Sequence, residues 1–146
     1  MKVYKNIFYG ILLCSLTIMM SCSDDDPAEG PSDMARFVGA WTATNVTLNN
    51  VDVLNPEYSN FRITFNDDGS YITVDGDPIF TDTGGFWSVS SSAESNANIA
   101  LDGVSVAAAF GADNTTVSLS FTANDQVVGA RTKGLVGAYV FALTKQ

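Results

Sequence analysis

From Arg36 onward, apolar and polar residues trade places at every second position, and turn-forming residues cut the alternation into short runs. A period of two marks half-buried β-strands, because successive side chains leave a strand on opposite faces. The pattern is plainest where Phe61, Ile63 and Phe65 alternate with Arg62 and Thr64, and where Val117, Leu119 and Phe121 alternate with Ser118, Ser120 and Thr122. Weaker versions cover residues 41–48, 70–74, 86–90, 97–101, 104–110 and 138–144. This spacing predicts about eight strands.

Between the strands stand Asn66-Asp67-Asp68-Gly69, Asp75-Gly76-Asp77-Pro78, Gly84-Gly85, Asp102-Gly103 and Asp113-Asn114. All tolerate the positive φ that tight turns demand, and short turns make sequential strands antiparallel neighbours. A run of hairpins over residues 36–146 closes best as a small antiparallel up-and-down barrel or a barrel-like sandwich, since an open sheet leaves unpaired edges. Helix is expected only as a turn or two over residues 32–37. With 146 residues there is room for one such all-β domain.

The region before it is built differently. Residues 1–21 have the three zones of an export signal: Lys2 and Lys5, then an apolar core through Ile11, Leu12, Leu13 and the stretch from Leu16 to Met20. The core is shorter than the ~20 apolar residues a bilayer span needs. Met19-Met20-Ser21-Cys22 resembles the lipobox cut by lipoprotein signal peptidase, with Met19 where Leu is commoner. The resemblance implies cleavage before Cys22, lipid attached to Cys22, and a membrane as partner through that lipid. An ordinary secretory signal with an incidental cysteine is the alternative. Ser23, Asp24, Asp25 and Asp26 resemble the export signal of Bacteroidota-type surface lipoproteins, which implies an outer-membrane lipoprotein facing the cell surface. As a plain acidic linker the same run fits a periplasm-facing anchor. Residues 22–35 then read as lipidated cysteine plus polar tether, whose 13 residues after Cys22 reach on the order of 20 Å as a flexible coil.

Within the domain, Phe37-Val38-Gly39-Ala40-Trp41, Asn66-Asp67-Asp68-Gly69 between two strands, and Gly85-Phe86-Trp87-Ser88 resemble lipocalin-like domains. Their Gly-x-Trp opening sets a Trp at the floor of a meander barrel. The resemblance spans most of the region from Phe37 to Lys145 and implies a barrel that holds one small apolar ligand. Longer family members set an Arg near the last strand over that Trp, and Arg131 is the candidate here. Val38-Gly39-Ala40-Trp41 is echoed by Val136-Gly137-Ala138-Tyr139, which reads as two strands meeting at the barrel seam with glycine allowing close approach.

The chemistry of the chain is sparse. All 16 acidic residues follow Cys22 while Lys2 and Lys5 precede it, so the cleaved chain would carry five basic residues and a net charge of −11. Such a surface repels phosphate backbones, and no nucleic-acid partner is expected. No histidine is present, and both cysteines, Cys14 and Cys22, lie before the domain. The commonest general base, thiolate nucleophiles and Cys or His metal sites are thereby removed. Asp67 with Asp68, and Asp75 with Asp77, read as turn residues rather than a glycosidase pair or a calcium loop. Ser88 and Ser90 to Ser92 lack a base, with Lys133 and Lys145 the nearest substitutes. Gly84-Gly85 and the glycines from Gly129 to Gly137 open no helix, so no phosphate cradle is expected. The reading is of a non-enzyme with no cofactor and no metal. Trp41, Tyr71, Phe86, Trp87 and Phe110 are the candidates to line an apolar pocket. Alternatively, exposed aromatics such as Tyr58 and Phe80 would stack on glycan, the domain being a structural or accessory module with a filled core.

Overall fold

The computed structural model describes residues 33–80, 83–124 and 136–146. The leader, Cys22, the acidic run after it, Arg131 and Lys133 lie outside them. The described residues contain no helix and nine strands: β1 Gly39–Leu48, β2 Val51–Asp52, β3 Arg62–Phe65, β4 Ser70–Val74, β5 Gly85–Ser92, β6 Asn96–Leu101, β7 Val104–Phe110, β8 Thr116–Ala123 and β9 Gly137–Lys145. From β3 on, each strand pairs antiparallel with the next, β3 pairs with β1, and β9 returns to β1. This closes an eight-stranded up-and-down barrel, with β2 as a ninth, two-residue strand. Closure leaves the eight wall strands without an open edge along the barrel, which decides between the barrel and the sandwich.

All eight barrel strands lie within two residues of their expected positions. β2 was not foreseen. It follows Asn49 and Asn50, both at positive φ (50° and 67°), the requirement of a two-residue hairpin whose twist matches its strands. Residues 33–37 form hydrogen-bonded turn instead of helix, with the Phe37 and Val38 amides both donating to the Met34 carbonyl.

The seam between β1 and β9 forms as expected, but the echoed segments do not face each other. Antiparallel pairing sets Trp41 opposite Lys145 and Leu48 opposite Tyr139, so Gly39 and Gly137 sit at opposite ends of the barrel. Close approach of two glycines is therefore not what joins the strands.

Two bulges keep the alternation in phase. Thr44 on β1 and Ser90 on β5 are extra residues in their ladders. Each hydroxyl donates to a carbonyl across the gap, Thr44 Oγ1 to Ala142 at 3.1 Å and Ser90 Oγ to Asn98 at 2.9 Å. A bulge leaves one partner group unpaired, and here a hydroxyl replaces the missing amide. On β1 the inward positions consequently shift from Trp41 to Val46, an odd number followed by an even one.

Candidate functional site

A barrel of eight strands is just wide enough for its side chains to fill, or to hold one small ligand. Which of these applies depends on what its two ends contribute. The floor is the end where Asp33 enters, and the mouth is the opposite end.

At the floor, the turn over residues 33–37 inserts Phe37 between the strands. Its ring packs against Phe110 at 4.8 Å between centroids, Trp87 at 5.6 Å and Phe65 at 5.8 Å. The Phe37 carbonyl accepts the indole N–H of Trp41 at 2.6 Å, so the floor segment and the Gly39-x-Trp41 motif hold each other. Two cations fasten this end from outside the core. Lys145 Nζ lies 5.3 Å from the Trp41 ring centre and donates to the Arg36 carbonyl, while the Arg36 guanidinium lies 4.7 Å from the Phe110 ring centre. Arg36 also donates to the Glu94 and Ala93 carbonyls and to Ser92 Oγ. Among the described residues the cation over Trp41 is Lys145, from β9; Arg131, the candidate in the sequence, lies outside them.

At the mouth, the loops before β3 and after β4 fold back over the opening. Tyr58 packs edge-on against Phe141 at 5.2 Å, and Phe80 packs on Phe61 at 5.4 Å and Phe141 at 5.5 Å. Phe121, Tyr139 and Phe141 stack with interplanar angles of 10° to 24°. Tyr58 and Phe80 are each only 1 % exposed. The expectation that they stand free to stack on glycan is therefore overturned: both loops supply apolar side chains to the core, which outweighs solvating them. Burial raises the pKa of Tyr58 first, and its hydrogen-bond partner Tyr139 contributes as well.

Trp41, Tyr71, Trp87 and Phe110 are all buried together in the lower half of the barrel, as interior residues should be. Phe86 is not. It points outward at 75 % exposure, because consecutive strand residues leave on opposite faces and Trp87 takes the inward position. It cannot line an interior pocket. Tyr71 Oη donates to Asp102 Oδ2 at 2.8 Å, and Asp102 Oδ1 accepts the Phe86 amide at 2.8 Å. Asp102 was legible only as a turn residue, and nothing in the sequence pointed to this second duty.

The acidic turns do backbone work. Asp68 Oδ1 accepts the Ser70 amide and hydroxyl, and Asp113 accepts the Thr115 amide; both sets of bonds hold the carboxyls below their ordinary pKa. Asp75 and Asp77 line an open polar hollow of about 370 Å³ with Pro56, Glu57, Ser59 and Asn60. Among the described residues no group of three or more Asp, Glu, His or Cys is placed to hold a metal ion. A second open hollow, about 320 Å³, lies beside the floor segment against Met34, Ala35, Val38 and Asp67. Three serines of β5 are engaged in side-chain hydrogen bonds: Ser90 donates to the Asn98 carbonyl, Ser91 accepts from Asn98 Nδ2 at 2.9 Å, and Ser92 accepts from Arg36.

Fold and interior together define a small closed up-and-down β-barrel whose inward side chains meet across its axis. A family model described as a domain of unknown function, DUF4999, matches residues 1–82, more than half of the chain, and the chain belongs to that family. The match runs from the first residue of the chain past the end of β4. No curated protein and no solved structure matches the chain.

Proposed function

We propose that this chain is an outer-membrane lipoprotein, cut before Cys22 and anchored by lipid there, whose segment Ser23-Asp24-Asp25-Asp26 directs a lipocalin-like barrel to the cell surface. The domain is a non-enzymatic structural or accessory module that works through its outer surface. One observation carries the choice against a carrier of small apolar ligands: Tyr58 and Phe80, from the two mouth loops, occupy the opening where such a ligand would enter. Entry would require both rings to leave a packed aromatic stack, at a cost comparable to deleting each from a core, about 3 to 5 kcal/mol.

Three measurements test this reading. Native mass spectrometry of the delipidated chain from its own membrane should give the bare polypeptide mass; a stoichiometric small molecule would restore the carrier. Cys22→Ser should release the protein from the membrane fraction, and unchanged attachment would refute the anchor. Protease added to intact cells should strip the domain, whereas full protection would place it in the periplasm.

A further inference from the structure

We draw no further inference here: the strongest candidate, the outward apolar face of β4 and β5 formed by Ile72, Val74 and Phe86, carries nothing, because nothing among the described residues shows what covers it.

Discussion

Tyr71 and Asp102, 31 positions apart, are joined by a 2.8 Å hydrogen bond from the phenol to the carboxylate. The bond ties the turn between β6 and β7 to the interior of β4, and the second oxygen of Asp102 holds the start of β5. β4 and β5 otherwise share only two register pairs, so one side chain supports the shortest ladder in the wall. Asp102 also sits at positive φ, 47°, a conformation that Asp and Asn adopt more readily than other residues with a Cβ.

Asp102→Ala should lower stability by about 2 kcal/mol, combining two lost bonds to an exposed carboxylate with an unfavourable φ for Ala. Asp102→Asn, which keeps the turn conformation and an acceptor, should cost about 1 kcal/mol. Urea unfolding monitored by tryptophan fluorescence measures both. An unchanged midpoint for Asp102→Ala would show that the bonds contribute nothing.

Alkaline pH should unfold the domain cooperatively. Tyr58, Tyr71 and Tyr139 all have pKa values raised above the ordinary 10.0, chiefly by burial. A raised folded-state pKa favours the protonated folded form. The stabilisation is thus full below pH 10 and is lost as pH climbs beyond it, because unfolded tyrosines ionise first. Tyrosinate absorbance and loss of β-sheet circular dichroism should rise together; tyrosinate forming near pH 10 with the strands intact would contradict this.

Phe80→Ala should cost about 3 to 5 kcal/mol and leave a hollow bordered by Phe61, Phe121 and Phe141. A dry apolar hollow of that kind admits a benzene-sized guest. Calorimetry with benzene should register binding to the variant and none to the parent. Binding by the parent would mean that the mouth is not sealed by this ring.

Two glycines at positive φ should respond differently to alanine. At Gly103, φ +84°, an added Cβ meets nothing within 4 Å, so Gly103→Ala should cost only conformational strain, about 1 to 2 kcal/mol. At Gly84, φ +69°, the Cβ would collide with the Tyr71 carbonyl, and the loss should be clearly larger. Thermal melts of the two variants rank them, and equal melting temperatures would refute the clash.

Strand positions were legible because alternation and turn residues are local properties, written into Phe61 to Phe65 and Val117 to Phe121 directly. The inward or outward choice was also legible wherever two aromatics adjoin: given an inward Trp87, Phe86 must face out, although composition alone had grouped them. Side chains carried by loops were not legible. Tyr58 and Phe80 look like exposed loop aromatics in sequence, and only the return of their loops over the mouth buries them. Likewise the cation over Trp41 comes from Lys145, because the antiparallel seam sets the end of β9 beside the start of β1. Partnerships across that distance have no local signal. Asp102 combined both problems, with a turn signal strong enough to hide its bond to Tyr71.

The floor segment also settles how the barrel would bear mechanical load. Any pull on the chain before Asp33 reaches residues 33–37 first, where Arg36 is tied to the turn after β5 and Phe37 is wedged between rings. Beyond them lies β1, held along one flank by β9 and along the other by β3 and β2. Force directed along β1 shears those ladders, loading many hydrogen bonds in parallel, and does not unzip them one at a time. The closure that seals the floor therefore also serves as a strain relief, yielding at Arg36 before the strands are asked to slide.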